Sequence, residues 1–135
     1  MMLLIVAAIA NPICAGVPLE GMVARYADLQ RKQDVPAIAH LFGSDGEVVN
    51  SGAPTIRGEV AVLAFLSGFK GFGVSANRVD VDKVTASGDA WRAQGRFSQQ
   101  GHTPDGKSYN AHGSFDSIWV CGASGWGVRR METGK

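Results

Sequence analysis

The sequence predicts an α+β domain, a cone made of a curved antiparallel sheet with about three N-terminal helices enclosing one pocket. Two observations carry this. Apolar residues recur at helical spacing from Leu19 to Phe69, and in the second half of the chain the repeat shortens to two. Two glycines, Gly95 and Gly113, then fall on the apolar face of the alternating strands, where a missing side chain permits a sharp bend or a close approach. A bent sheet with helices in its mouth is a cone.

In the first helical pattern Leu19, Met22, Val23, Tyr26 and Leu29 form one face, with Arg25, Asp28, Arg31 and Lys32 on the other. Asp34 can cap a second, short helix whose first turn tolerates Pro36; its buried side would be Ile38, Leu41 and Phe42, and Gly43 stops it. Residues 47–50 read as a first strand, broken by Ser51-Gly52-Ala53-Pro54. Gly58 precedes a third helix with Val62, Phe65, Leu66 and Phe69 on one stripe, ended by Lys70-Gly71-Phe72-Gly73. In the next confident strand Trp91, Ala93, Gly95 and Phe97 alternate with Arg92, Gln94, Arg96 and Ser98. Its partner places Tyr109, Ala111, Gly113, Phe115 and Trp119 opposite Asn110, His112, Ser114 and Asp116, across the turn Thr103-Pro104-Asp105-Gly106. Residues 79–86 and 126–131 supply two further strands. Their apolar residues change parity partway (Val81 against Val84, Val128 against Met131), which predicts a bulge or burial on both sides.

A chain of 135 residues with 45% hydrophobic and 19% charged residues supports one core rather than two domains. A net charge of +1 without a basic run excludes the electrostatic footprint of a nucleic-acid binder. Residues 2–10 (MLLIVAAIA) form an apolar run of signal-peptide length, ahead of Asn11-Pro12 and a cleavage point after Ala15. The domain would then occupy residues 16–135 of a secreted or periplasmic protein with no stable membrane anchor, since the run is well short of the ~20 apolar residues of a spanning helix. Cleavage there leaves Cys121 as the only thiol, a small apolar residue at a strand end. A retained leader would allow a Cys14–Cys121 bridge, which the spacing does not itself suggest.

The phrase ARYADLQRKQDVPAIAHLFGSDGEVVN, its Gly/Pro loop and IRGEVAVLAFLSGF resemble the opening of ketosteroid isomerase and its SnoaL-like relatives in the nuclear transport factor 2-like superfamily. The likeness continues through the closing strands, with a Trp before the last turn and a Trp after it, and covers residues 19–131. In the isomerases a carboxylate base moves the proton, while a tyrosine and a protonated carboxylic acid hold the enolate oxygen. The resemblance puts Tyr26 at the tyrosine donor. It puts Asn50 where the isomerases have an Asp base, and an amide cannot take up a proton at neutral pH. The second donor falls on Ser117 or Asp116, according to register, because a shift of one residue exchanges the faces. The parity of Tyr109, Phe115 and Trp119 favours Ser117 inside and Asp116 outside. The resemblance also implies a homodimer through the outer sheet face.

Other acid–base candidates have ordinary explanations. Asp45 stands in a turn, Gly43-Ser44-Asp45-Gly46, where Asp is favoured for local hydrogen bonding. His40 lies beside the apolar stripe of the second helix, His102 belongs to the hairpin turn, and His112 faces the side expected to meet a second subunit. Arg129 and Arg130 point to opposite faces, so one of them could reach the pocket mouth. Asp80 and Asp82 have no His or Cys partners, and no metal, cofactor or phosphate-loop motif is present.

Three readings follow. The first is a pocket domain that binds a small, mostly apolar molecule among Phe42, Phe65, Leu66, Phe69, Trp91, Phe97, Tyr109, Phe115 and Trp119. The second is an isomerase, cyclase or hydratase with Tyr26 as oxyanion donor and an atypical base among Asp45, His40 and Asp116. The third is an assembly module that works through the outer face.

Overall fold

The computed structural model describes Cys14 and residues 16–134. Three helices, α1 (Leu19–Lys32), α2 (Val35–Phe42) and α3 (Glu59–Ser67), cover one face of a six-stranded sheet. The strands are β1 (Glu47–Asn50), β2 (Ile56–Arg57), β3 (Gly73–Ser87), β4 (Ala90–His102), β5 (Ser108–Gly122) and β6 (Gly125–Gly134), in the order β2-β1-β6-β5-β4-β3. The sheet is curved and unclosed, as the α+β cone requires.

The helices form where their residues can be both capped and buried. In α1 the stripe Leu19, Met22, Val23, Tyr26 and Leu29 is buried; Glu20 in the first turn and Arg31 and Lys32 in the last complement the helix dipole. Gln33 then turns left-handed (φ 56°) and ends the helix. One residue later the Asp34 side chain accepts a hydrogen bond from the Ala37 N–H, 3.3 Å, and opens α2 with Pro36 in its first turn. Val62 of α3 is wholly enclosed, and Phe65 and Leu66 pack against the core beside it.

Strand parity sets which side chains face the helices. Trp91, Ala93, Gly95 and Phe97 of β4 stand opposite Trp119, Ser117, Phe115 and Gly113 of β5, all on the inner face. A Cβ at Gly95 would overlap the Asp80 carbonyl oxygen and come within 2.8 Å of the Phe115 ring, so glycine is what lets β3 and β4 curve together there. The parity breaks read from the sequence are bulges. Register shifts between Val81 and Lys83, and the β5–β6 pairing steps from Ile118↔Arg130 to Trp119↔Val128, leaving Arg129 as the extra residue. A third irregularity lies between Val74 and Ala76.

Three features differ from the sequence-based expectation. The sheet is mixed rather than antiparallel throughout, because β1 runs parallel to β6, with Val48 beside Met131 and Asn50 beside Thr133. Hairpins dictate the direction of strands adjacent in sequence, but β1 meets β6 across the whole intervening chain and takes its direction from the helices on either side. The two-residue β2, antiparallel to β1, is too short to show alternation. Strand β3 begins six residues earlier than expected, because its polar start also pairs with β4, Gly73 with His102 and Asn77 with Gln99, around an unpaired Ser75.

Cys14 and Cys121 are joined by a disulfide, with 6.1 Å between their Cα atoms. With the leader retained Cys121 is thus bridged; cleavage after Ala15 would remove the bridge. Beside it the Trp126 indole donates to the Val17 carbonyl at 2.8 Å, so two contacts pin the approach to α1 onto the β5–β6 hairpin. The rest of the expected leader lies outside the described residues.

Candidate functional site

Between the helices and the inner sheet face lies a cavity of about 800 Å³. Every element except β2 contributes to its wall, so the tertiary fold, not a local motif, makes it. One stripe of α1 supplies Val23, Tyr26 and Gln30 at helical spacing, and Gln33, the residue that ends the helix, follows them. From α3 and the turn after it come Phe65, Leu66, Phe69 and Phe72, and from the sheet Val79, Phe97, Tyr109 and Phe115. Edge-to-face contacts link Phe65 to Phe69, Phe69 to Phe72, and Phe72 to Tyr109, with ring centroids 5.4–6.1 Å apart. Phe69 is 45% exposed, which puts this part of the aromatic row at the mouth.

Polar groups interrupt the apolar wall, and most are carboxamides. Asn77 of β3 donates to the Ala27 carbonyl (2.8 Å) and to Gln30 Oε1 (3.0 Å) of α1. Gln99 donates to Asn77 Oδ1 at 3.3 Å, and the Tyr109 hydroxyl donates to Gln99 Oε1 at 2.9 Å. At the other end of the sheet, Thr133 donates to Asn50 Oδ1 at 2.6 Å, across the parallel β1–β6 pair. The wall includes Lys70, an exposed residue, and among the described lining residues there is no carboxylate and no histidine.

Tyr26 and Asn50, two residues singled out by sequence, both line the cavity. The Tyr26 ring is backed by Phe42 and Trp119, with centroids 6.2 and 6.4 Å away, and its hydroxyl has no hydrogen-bond partner among the described residues. Burial of the phenol disfavours its anion and pushes its pKa well above 10, so the group stays protonated and can donate. Ser117 does face inward, as parity requires, but it lies beneath the cavity wall. Fully buried, it donates to the Ala93 carbonyl and accepts from the Trp119 indole, both at 2.9 Å, which commits it to the core.

Asp116 is on the outer face, where Arg92 holds it with two hydrogen bonds and keeps its carboxyl below the usual carboxylate range. The other candidate bases are also off the cavity. Asp45 is exposed in its turn, and His40 projects toward Glu59 at 3.5 Å with 78% of its side chain exposed. The strand ends and outer face carry His102 and His112, both exposed. Arg129 and Arg130 pair with Asp89 and Glu132 and do not line the cavity.

Of the expected lining residues, Phe65, Leu66, Phe69, Phe97, Tyr109 and Phe115 are in the wall, whereas Phe42, Trp91 and Trp119 are not. The cone tapers, and those three rings pack as solid core behind Tyr26 and around Ala93. Gln30, Gln33, Asn77 and Gln99 were missed. Each had a signal in the sequence: Gln30 is one turn from Tyr26, and Gln99 shares the parity of Phe97.

Among known proteins, the model of the SnoaL-like domain matches residues 23–121. A solved NTF2-like protein with a cystatin-like fold from Novosphingobium aromaticivorans is 23% identical, with a TM-score of 0.68 over 82% of this chain and 75% of its own. A ketosteroid isomerase-like protein from Erwinia carotovora atroseptica is 19% identical, with a TM-score of 0.74 over 84% and 90%. A conserved protein from Planctomyces limnophilus reaches 0.75 at 14% identity, over 84% and 90%. At these identities the likeness concerns the fold. A search of curated proteins found no match.

Proposed function

The chain belongs to the SnoaL-like domain family, and we propose that it is an exported pocket domain that binds a small, mostly apolar molecule in the cone cavity. One observation carries the proposal: an aromatic-lined space of about 800 Å³ whose described wall holds hydrogen-bond donors and no acid–base pair. Affinity would come from apolar burial, at roughly 25 cal/mol per Å², and orientation from the few polar groups. Export is supported by the Cys14–Cys121 bridge, a bond that persists in oxidising compartments, and a chain exported with this bridge keeps Cys14, so it is not processed after Ala15.

A specific observation also favours the isomerase-like reading. Tyr26 offers the cavity a protonated phenol with no partner among the described residues, and Asn50 offers an amide to the same cavity, both donors of the kind that stabilise an enolate oxygen. Among the described lining residues there is no carboxylate or imidazole to take the proton, since Asp45, His40 and Asp116 all lie elsewhere. Binding without turnover is the simpler assignment. The dimer we assign to the outer sheet face, where Arg92, Asp116, Arg130 and Glu132 form a strip of alternating charge.

Native mass spectrometry of the purified protein, followed by denaturation and identification of what is released, tests the main proposal. A dimer carrying one small apolar molecule per chain is expected, and Ala111→Trp, which puts an indole into the wall, should empty it. Retention of the same molecule by that variant would move the site elsewhere.

A further inference from the structure

Resting on the pocket reading above, we infer that Gln30 selects the ligand, favouring an oxygen that only accepts a hydrogen bond, a ketone or quinone carbonyl, over a hydroxyl at the same place. The argument starts from a backbone group. The Ala27 carbonyl can only accept, so the Asn77 group 2.8 Å from it must be the amide nitrogen. The second hydrogen of that nitrogen goes to Gln30 Oε1. Asn77 Oδ1 therefore faces Gln99, which must present its own nitrogen, and Gln99 Oε1 is left to accept from Tyr109. One carbonyl thus orients three carboxamides, and donation runs in a single direction, Tyr109 to Gln99 to Asn77 to Gln30.

The relay ends at Gln30 Nε2. Its oxygen is engaged, its nitrogen has no partner among the described residues, and the residue lines the cavity one helical turn from Tyr26. Successive hydrogen bonds of the same sense polarise one another, which strengthens the terminal donor. Elsewhere on the same wall, Asn50 has its oxygen taken by Thr133, and the Tyr26 phenol, one turn from Gln30, is held in its protonated form. Each of these three side chains therefore offers the cavity a hydrogen. A ligand carbonyl accepts such a hydrogen at no further cost. An alcohol can accept the same hydrogen but brings one of its own, which must find the second lone pair of an oxygen already engaged in the relay or stay unpaired.

The test uses 9-fluorenone and 9-fluorenol, which share a carbon skeleton and differ at one oxygen. Titration calorimetry should find the ketone bound ~10-fold more tightly by the wild-type protein, the discrimination expected of about one hydrogen bond. In Gln30→Met the preference should fall to near unity. The infrared carbonyl stretch of bound fluorenone should lie lower in the wild type than in the variant, a difference that a merely structural role would not produce. If Gln30→Met does not fold, Gln30→Glu replaces it, because a carboxylate still accepts from Asn77 and presents no donor. Equal binding of both compounds, or a preference that survives loss of the amide, overturns the role of Gln30 and leaves the cavity reading standing. Failure of both compounds to bind overturns the cavity reading as well.

Discussion

Replacing Cys121 by serine opens the covalent link between the start of α1 and the β5–β6 hairpin, and its cost can be worked from chain length. Cys14 and Cys121 are 107 residues apart. In the chain-entropy account, closing a loop of that length removes ~4.7 kcal/mol of unfolded-state freedom, with measured effects typically about 2–4 kcal/mol. At the usual unfolding entropy per residue, a domain of this size loses roughly 4 °C per kcal/mol. The melting temperature should therefore fall by about 8–15 °C. The assay is thermal unfolding by circular dichroism of wild type and Cys121→Ser, each with and without a strong reductant. Reductant should lower the wild-type melt to that of the variant and leave the variant unchanged. Intact-mass analysis should find a mature chain that still contains Cys14 and is two hydrogens lighter than its reduced form. Identical melts for all four samples, or a mature chain that begins after Ala15, would refute the reasoning.

Two further outcomes follow from the core around Tyr26. Burial raises the Tyr26 pKa in the folded state, so its contribution to stability is complete below the unfolded value near 10 and declines as pH rises beyond it, when the unfolded phenol ionises and the folded one resists. Tyr26→Phe should flatten the alkaline limb of stability measured by urea unfolding between about pH 9 and 11; an unchanged slope would contradict the burial. Ser117→Ala leaves the Trp119 indole N–H without its acceptor in the core and should cost about 1–3 kcal/mol in urea unfolding. A change under ~0.5 kcal/mol would mean that the indole finds another partner.

What the sequence made legible was whatever repeats. Helical stripes identified α1, α2 and α3 to within a residue or two, and the parity breaks at Val81/Val84 and Val128/Met131 marked real bulges. Parity also put Ser117 inside and Asp116 outside. It could not say that Ser117 would be consumed by Trp119 and Ala93, because that depends on where the cone narrows. The carboxamides escaped for a similar reason: Gln30, Asn77 and Gln99 are polar residues on inward positions, and only the approach of α1 to β3 turns them into one network. Neither the parallel β1–β6 pair nor the Cys14–Cys121 bridge leaves any periodic trace, since each joins segments far apart in the chain.

The place of β6 between β1 and β5 bears on how the protein is made. Synthesis runs from the N-terminus, so β1 and β2 leave the ribosome long before the strand that joins them to the rest of the sheet. A nascent chain can assemble β3, β4 and β5 by successive hairpins, yet β1 must wait for a partner from the far end of the chain. Pairings that distant in sequence are slow to form. Met131 and Thr133, which β6 brings to the cavity wall beside Val48 and Asn50, are thus among its last parts to arrive. During translation the helices are exposed before the cavity exists, and its wall is completed only once β6 has emerged.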